Sequence, residues 1–357
     1  MPAPFPENFL FIPEPGTPST GTLYELGNAV SFLPNAFAVI PYSNPAVKKP
    51  EARFYEIKNR IPGADLSAFA HAAAQKPLQL RAVCSRLRYL EHVSRLKQHI
   101  QRGDIYEINY CIQLQAENAD IDPAGVFMRL NQLAQAPYTA LVKLGHDFII
   151  SASPELFLKK EGSLVSTKPI KGTIRRGQNH EEDEALKNTL HQSLKERTEN
   201  VMAVDVARND LSRFARKGSV TVNKLYNIET FATVHQMVST VSCEMKEGTS
   251  FEDLLDAAFP MASMTGAPKI RAMELIGAHE DFDRHYYSGA MGLIGPEGDF
   301  TLSVLIRSIF YNQHTRQVSL SVGSAITWLS DPEQEYEECL LKANALLKAL
   351  GAELISS

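Results

Sequence analysis

The chain has 357 residues, of which 44% are hydrophobic and 22% charged, which is ordinary for a globular protein with a substantial core. A net charge of −5 without a long basic block argues against nucleic-acid binding, and no apolar run of about 18 residues predicts a membrane span. The four scattered cysteines form no CxxC pair, so neither a zinc site nor a disulfide framework is expected. With an N-terminus unlike a signal peptide, these features predict a cytoplasmic protein.

The N-terminal part of the chain predicts short strands followed by a helix. Residues 1–84 are rich in proline and glycine, and we expect them to add strands to the fold of a main domain formed by residues 85–357. Apolar residues recur every three or four positions between residues 85 and 102, which indicates a helix that ends near Gly103. A strand over 104–116 and a helix over 123–134 follow.

Four predicted strands between residues 139 and 167 lead into the segment 167–173, Thr-Lys-Pro-Ile-Lys-Gly-Thr. Connections this short require antiparallel pairing. Pro169 and Gly172 bracket Lys171 and predict a sharp turn there. A lysine in such a turn can act as a nucleophile, bind an anion or remain a solvated charge, which is the commonest case.

Glu155 begins a strand sixteen positions before Lys171. If the intervening hairpin folds back, the carboxyl group and the lysine could share a cleft as acid/base and nucleophile. An exposed carboxylate at the end of a strand is the commoner alternative.

Two predicted helices each carry a pair of carboxylates one turn apart. Residues 181–216 are predicted to be helical with an interruption near Arg208, and Glu196 and Glu199 share one face of this region. A last helix over 332–350 is predicted from Asp331-Pro332 as its start, and its residues Glu335, Glu338 and Lys342 also share a face. Two such pairs could hold Mg²⁺, whereas ion pairs on a solvated face are the alternative.

Two further features could bind an anionic ligand. Residues 263–269 lead into a helix predicted over 268–276 with Gly277 as its C-cap, and free N–H groups at a helix start attract anions. Arg307 lies in an otherwise apolar predicted strand over 299–310, where a ligand carboxylate or a structural salt bridge could pair with it. Strands in two antiparallel batches with accompanying helices predict an α+β fold of layered sheets. These features together suggest a metal-assisted enzyme that acts on a small polycarboxylate.

Taken in order along the chain, these residues and segments resemble those of the chorismate-utilising enzymes. Within that family they resemble the branch that makes aminodeoxychorismate. The resemblance runs from Gly103 to Ala349 and rests on the following segments: Gly103-Asp104-Ile105-Tyr106 with Asn109, Ala136-Pro137-Tyr138, Ser153-Pro154-Glu155, Pro169-Ile170-Lys171-Gly172-Thr173, Glu199, Asp205 with Arg208-Asn209-Asp210-Leu211, Gly218-Ser219-Val220, Thr265-Gly266-Ala267-Pro268-Lys269, Ile306-Arg307, and Glu335-Tyr336-Glu337-Glu338 with Lys342.

The resemblance implies an α/β/β/α sandwich of two antiparallel sheets flanked by helices, with chorismate and Mg²⁺ between the halves. It implies that ammonia replaces the 4-hydroxyl of chorismate to give 4-amino-4-deoxychorismate, with Lys171 as the nucleophile at C2 and Glu155 as the general acid. Anthranilate synthases are similar but typically have alanine at the position of Lys171. Anthranilate or isochorismate chemistry remains an alternative, as does a relative that only binds a ligand.

The same resemblance implies the remaining site residues. Glu199 and Glu338 match the metal ligands, with Glu196 and Glu335 beside them. The groups that match chorismate-binding positions are Tyr287, Arg307, Lys342, the backbone at Gly323 and the segment that includes Thr265 and Gly266. We expect burial and, if the two lysines are close, the neighbouring Lys168 to lower the pKa of Lys171, since a nucleophilic lysine must spend time uncharged.

Ammonia is normally supplied by a glutaminase, and no GxCxG motif surrounds any cysteine, so we expect a separate glutamine amidotransferase subunit as partner. The chain departs from the family pattern in three places. Gln236 stands where a histidine is common, so either the adjacent His235 substitutes for it or that role is lost. Met261 and Ala262 replace glycines, and Ala325 follows Gly323 in a turn that is usually richer in glycine. The N-terminal region is short for the family, which predicts a missing or reduced tryptophan-binding element.

Overall fold

The computed structural model describes residues 5–43, 49–70, 77–232 and 234–355, so the first four residues of the N-terminus and parts of the expected N-terminal region lie outside the described residues. Within this part of the chain no helix is both long enough and apolar enough to cross a membrane. The helices are α1 (Arg86–Gln101), α2 (Pro123–Ala134), α3 (His180–Gln192), α4 (Leu194–Ser212), α5 (Phe251–Ala258), α6 (Lys269–His279) and α7 (Pro332–Leu350).

The strands in the first half are β1 (Asn8–Pro13), β2 (Thr20–Val30), β3 (Ala36–Ile40), β4 (Arg53–Asp65), β5 (Leu78–Ala82), β6 (Glu107–Ala116), β7 (Tyr138–Leu144), β8 (Asp147–Ser153), β9 (Leu156–Glu161), β10 (Leu164–Lys168) and β11 (Ile170–Arg175). The later strands are β12 (Thr221–Thr230), β13 (Val234–Glu244), β14 (Gly266–Ala267), β15 (Ala290–Ile294), β16 (Phe300–Val304), β17 (Ser308–Asn312), β18 (Gln317–Ile326) and β19 (Ala352–Ile355).

The strands pair edge to edge in one long ribbon. Its order is β12-β13-β10-β9-β16-β15-β3-β4-β2-β1-β7-β8-β17-β18-β6-β5-β19, with β11 also on β13 and β14 also on β6. The pair β5–β19 is parallel, and the other pairs are antiparallel. With helices packed on this ribbon, the predicted α+β class is confirmed. The long bulged pair β2–β4 lies midway along the ribbon and lets its two halves stack.

Each half of the ribbon has its own apolar core. One core lies beneath α1, α2 and α7 and contains Val93, Phe127 and Leu346, none of which is more than 1% exposed. The other lies beneath α4 and α5 and contains Leu211 and Leu254. Fully burying one such aliphatic side chain contributes about 1.5–3 kcal/mol. A third core contains Leu10 and Val142 from one half and Met291 from the other, so it packs the two halves against each other.

Two helix boundaries differ from the sequence-based expectation. The predicted interruption near Arg208 is wrong, because the break between α3 and α4 lies at Ser193. The hydroxyl of Ser193 accepts a hydrogen bond from the N–H of Glu196, so this residue caps the new helix. Helix α6 continues through Gly277, the predicted C-cap, to His279. Because Ser193 starts α4 as a separate helix, Glu196 and the rest of α4 are directed towards the cleft between the two halves.

The segment that carries Lys171 does not turn sharply, so this prediction is wrong. Both β10 and β11 pair antiparallel with β13, and the chain runs on along the same neighbour. Pro169 lacks an N–H and interrupts the pairing between the two strands, while its carbonyl accepts from the N–H of Ser239. Gly172 has a φ of 82° within a bulge, and a Cβ there would lie 2.8 Å from Glu196 Oε2. A bare backbone therefore lets α4 approach the strand that holds Lys171.

Candidate functional site

A cavity of about 580 Å³ opens between the two halves of the molecule. Strands β11 and β13 and helix α4 form one wall, and β18, α7 and the segment Ile306-Arg307 form the other. It brings together all but two of the predicted site residues: Glu155, Lys171, Glu196, Glu199, Tyr287, Arg307, Gly323, Glu335, Glu338 and Lys342. The volume is in the usual range for a site that encloses a small ligand.

Thr265 and Gly266 are the two predicted residues that are absent from the cavity lining. Thr265 is fully buried, and its carbonyl accepts from the N–H of Asn109. Gly266 belongs to β14, where a Cβ would lie 2.2 Å from the carbonyl oxygen of Glu107. These residues support the strand behind the cavity. Helix α6 begins at Lys269, which pairs with Asp210 at 2.6 Å.

Lys171 lies inside the cavity wall and is 9% exposed. Its Nζ donates a hydrogen bond to a carboxylate oxygen of Glu107, which is itself buried. Burial is the largest single influence and disfavours the ammonium form, but the nearby carboxylates of Glu107, Glu199 and Glu155 together outweigh it and raise the pKa of Lys171. The expectation of a lowered pKa is therefore wrong: burial acts in the expected direction but is outweighed by these carboxylates, and Lys168, which pairs with Glu229, is not among the groups that shift it.

Glu155 is the buried carboxyl group beside Lys171 in the cavity. Burial raises its pKa to about 7, against opposing contributions from the nearby Ser263 hydroxyl and from the charge of Lys171. A carboxyl group that is substantially protonated near neutral pH can donate a proton to a leaving group. The two ends of the predicted hairpin do share a cleft, as expected.

The carboxylates of α4 and α7 face one another in the cavity. Glu199 Oε1 and Glu335 Oε2 are buried and have no hydrogen-bond partner among the described residues. Burial raises the pKa of Glu199 to about 7 and also raises the pKa of Glu196. Lys195 Nζ lies 3.9 Å from Glu199 Oε1 and 3.4 Å from Glu335 Oε1, so a lysine cation lies between the two helices.

Helix α7 presents the predicted face to the cavity. Glu338 and Lys342 both line it, with Lys342 Nζ 2.6 Å from Glu338 Oε1, whereas Glu337 is exposed and lies outside it. Lys342 also donates to the carbonyl of Gly323 at 2.8 Å. A Cβ at Gly323 would lie 2.5 Å from Cys111 Sγ, so β18 can come this close to β6 only without a side chain there.

Arg307 lies at the break between β16 and β17, so its predicted place within a strand is wrong. Its φ of 52° is left-handed, and its Nη1 donates to the carbonyl of Lys342 at 3.1 Å. No carboxylate of a described residue lies within 4.0 Å of its guanidinium, so the structural salt bridge that the sequence allowed is absent from this part of the chain. Burial lowers the pKa of Arg307, and its remaining N–H groups are available to an anionic ligand.

Gln236 and His235 lie on opposite faces of β13, because side chains alternate along a strand. Gln236 lines the cavity, whereas the fully buried His235 bonds to Asp183 at 2.8 Å and to Thr230 at 3.0 Å. His235 therefore cannot take the place of a histidine at position 236. Ala325 lines the cavity, while Met261 and Ala262 line a small neighbouring pocket that also contacts Glu155.

Two charged residues of the site, Glu107 and Lys195, were not predicted from the sequence. Glu107 pairs with Lys171, and Lys195 lies between Glu199 and Glu335. Glu107 directly follows a recognised segment, and strand alternation from Asn109 would have placed it on the same face. Lys195 is four residues before Glu199, at the spacing of a helical ion pair. Both signals were present but are common on protein surfaces.

A separate cluster lies near the start of α1. Ligand atoms of Cys84, His92 and Asp281 lie within 4.8 Å of one another. Each already has a partner: Asp281 pairs with Arg88 at 2.5 Å, His92 Nδ1 bonds to the hydroxyl of Tyr110 at 2.7 Å, and Cys84 Sγ donates to the carbonyl of Ser85 at 3.6 Å. Burial and Asp281 raise the pKa of the Cys84 thiol to about 12, which disfavours metal ligation. The cluster is therefore a hydrogen-bonded support of the core.

Two solved structures share the fold. The anthranilate synthase component I of Streptococcus pneumoniae matches with a TM-score of 0.76 and 22% identity, and the match covers 97% of this chain and 91% of that chain. The menaquinone-specific isochorismate synthase of Escherichia coli matches with a TM-score of 0.77 and 15% identity over 96% of this chain and 88% of that chain.

Closer sequence similarity connects the chain to curated relatives. It is 38% identical to the aminodeoxychorismate synthase component 1 of Bacillus subtilis over 73% of this chain and 55% of that protein, and 38% identical to that of Escherichia coli over 74% and 58%. The anthranilate synthase component 1 of Synechocystis is 37% identical over 85% and 59%. The chain thus spans somewhat more than half the length of these relatives. The model of a family described as chorismate binding enzyme matches residues 43–348. The chain belongs to the chorismate binding enzyme family.

Proposed function

We propose that the protein aminates chorismate at C4 and releases 4-amino-4-deoxychorismate, as the component I of an aminodeoxychorismate synthase. The observation that carries the proposal is the presence of Lys171 in the cavity wall beside Glu155. Anthranilate synthases typically have alanine at this position, so a lysine here favours the aminodeoxychorismate reaction over its sister reactions. Relatives named aminodeoxychorismate synthase component 1, at 38% identity, support the same choice.

Chorismate carries two carboxylates, and the cavity offers matching cations. The guanidinium of Arg307 has N–H groups without a protein carboxylate to bind, and a planar guanidinium suits a bidentate carboxylate. Lys342 and Tyr287 also line the cavity. These groups would orient the ring so that C2 and C4 face Lys171 and Glu155.

The chemistry needs an uncharged Lys171. Glu107 accepts the hydrogen bond of its Nζ and is the group placed to take its proton. The free amine then forms a bond to C2 as both ring double bonds shift by one position, from C1=C2 and C5=C6 to C1=C6 and C4=C5, and the C4–O bond breaks, with Glu155 protonating the departing hydroxyl to water. Ammonia next forms a bond to C4, both double bonds shift back, and the C2–N bond to Lys171 breaks. The overall change is the replacement of one hydroxyl by one amino group.

The residues present fit a magnesium ion. Glu199 and Glu335 each have a buried carboxylate oxygen without a hydrogen-bond partner among the described residues, which is a costly state unless a cation binds there. Glu199 and Glu338 would hold the ion, with Glu196 and Glu335 beside them. When bound, Mg²⁺ would supply positive charge for a carboxylate of chorismate. Lys195 would then move aside from Glu199 and Glu335.

Ammonia would come from a separate glutamine amidotransferase subunit. Relatives named component 1 support this division of labour. The partner would hydrolyse glutamine, while this chain would bind chorismate and form the new C–N bond.

The test is a product assay with chorismate, Mg²⁺ and ammonium salt, run with and without an added glutaminase and glutamine. We expect a product with the mass of aminodeoxychorismate. Anthranilate or isochorismate as the main product would overturn the assignment in favour of a sister reaction. Chorismate that binds but stays unconverted with both nitrogen sources would indicate a relative that has lost catalysis.

A further inference from the structure

Two neutral side-chain oxygens of the described cavity residues have no hydrogen-bond partner: Ser263 Oγ, next to Glu155, and the carboxamide oxygen of Gln236. Gln236 is 5% exposed, and its carboxamide oxygen is buried without a hydrogen bond to any described residue. Its Nε2 lies 3.5 Å from the hydroxyl oxygen of Thr173, the residue that pairs with it across β11 and β13. A buried oxygen in this state is stabilised by a ligand that donates a hydrogen bond.

The reactants of the proposed function limit which ligand could donate a hydrogen bond to the carboxamide oxygen of Gln236. The carboxylates of chorismate only accept hydrogen bonds and need the cations across the cavity. Its 4-hydroxyl is the group that Glu155 would protonate, and Glu155 belongs to a different part of the wall, next to Ser263. Ammonia is the remaining reactant, and its N–H groups suit a neutral oxygen acceptor.

We propose that Gln236 and Thr173 form an ammonia-binding subsite. The inference rests on the proposed function and assigns the place of its second substrate. Thr173 follows Lys171 by two residues in β11, so the subsite lies on the wall that carries the lysine. Ammonia bound there would lie beside the covalent adduct that it must attack.

The chemical type of the residue supports the assignment. Ammonia attacks through its lone pair, which the ammonium ion lacks. A carboxylate at this position would stabilise the ammonium ion, whereas a carboxamide oxygen orients the neutral molecule without favouring its protonation. Elsewhere in the cavity the polar groups are largely charged: Lys171, Lys195, Lys342, Arg307 and the glutamates.

The experiment measures the KM for ammonia and the KM for chorismate separately. Ammonium chloride is varied at fixed pH with saturating chorismate, and then chorismate is varied with saturating ammonium. In Gln236→Leu, which keeps the size but removes the acceptor, we expect the KM for ammonia to rise about tenfold, as for one lost hydrogen bond. The KM for chorismate should stay within about twofold. Gln236→Asn, which keeps the carboxamide, should lie between Gln236→Leu and the wild type.

A second pair of variants protects the test against a misfolded Gln236→Leu. Thr173→Val removes the neighbouring hydroxyl and should raise the KM for ammonia by a few fold, whereas Thr173→Ser should not.

An unchanged KM for ammonia in Gln236→Leu or, if that variant does not fold, in Thr173→Val would overturn the subsite. An equal rise in both KM values would overturn it too. If the wild type makes no aminodeoxychorismate from ammonia, the proposed function fails and the subsite with it; failure of the subsite alone leaves wild-type turnover intact.

Discussion

Lys171 and Glu107 form a buried ion pair in the wall of the cavity, with the lysine Nζ donating to the glutamate carboxylate. The lysine comes from β11 in one half of the molecule and the glutamate from β6 in the other. Water screens such a pair poorly, so each charge strongly stabilises the other. The pair holds Lys171 protonated in the resting protein and also provides the acceptor for its proton.

Removing the charge of Glu107 should lower the pKa of Lys171. Glu107→Gln keeps a hydrogen-bond acceptor but removes an anion that favours the ammonium form, and the expected shift is about one unit or more. The measurement is competitive labelling with acetic anhydride across pH, followed by peptide mass analysis. Lys168 is an internal control three residues away, since it pairs with Glu229. A Lys171 labelling midpoint that does not move would show that Glu107 has no control over the lysine.

Replacing Lys171 should stop amination without unfolding the protein. We expect Lys171→Ala to lower kcat for aminodeoxychorismate by about 10³-fold or more, as for other lost nucleophiles. The matched control is Lys168→Ala, which removes a half-exposed lysine from the neighbouring strand. Thermal unfolding monitored by circular dichroism verifies folding of both. Full activity in Lys171→Ala would exclude its role as nucleophile.

The outline of the fold was predictable from the sequence, but the sites of local interruption were not. Helix α7 begins after Asp331, which caps it as expected, and its periodicity correctly placed Glu335, Glu338 and Lys342 on one face. Such signals are local, so a sequence reveals them directly.

The electrostatics of the site depended on long-range contacts that no local pattern contains. The pairing of Lys171 with Glu107 joins residues 64 positions apart, and together with Glu199 and Glu155 it outweighs the lowering of the lysine pKa by burial. The left-handed break at Arg307 was also hidden, because the apolar residues on both sides of it continue the pattern of a strand. The sequence also does not show which residues of the matching segments face the cavity, because this depends on how the strands pack in three dimensions.

The two glutamates at the centre of α7 should differ in their effect on magnesium. Glu338→Gln should raise the Mg²⁺ concentration for half-maximal activity by at least about tenfold, because a ligand to the ion is lost. Glu337→Gln, the control one position away, should leave it unchanged, since Glu337 is exposed and outside the cavity. The measurement is a magnesium titration of initial rates. Equal effects of the two substitutions would contradict the assignment of this face to the metal.

Arg307 should contribute to chorismate binding. Arg307→Ala should raise the KM for chorismate about tenfold or more through loss of a charge-assisted hydrogen bond. Arg316 is a matched control because it also has a left-handed φ, of 56°, but lies outside this cavity. The measurement is the initial rate across a range of chorismate concentrations. A KM that rises equally in Arg316→Ala would indicate that a change in the backbone, not the loss of a ligand-binding guanidinium, weakens chorismate binding.

Glu155 should give the reaction its dependence on pH above neutrality. Burial raises its pKa to about 7, so the carboxyl group is protonated below that pH and can act as an acid, and it loses the proton as pH rises. With Mg²⁺ saturating, so that titration of Glu199 is suppressed, kcat/KM of the wild type should therefore fall tenfold per pH unit well above pH 7.

Glu155→Gln should be slow at every pH and lack that fall, because its amide does not titrate in this range. Glu161→Gln, at the exposed far end of β9, should retain the wild-type profile. A decline above pH 7 that persists unchanged in Glu155→Gln would mean that another group supplies the proton to the departing hydroxyl.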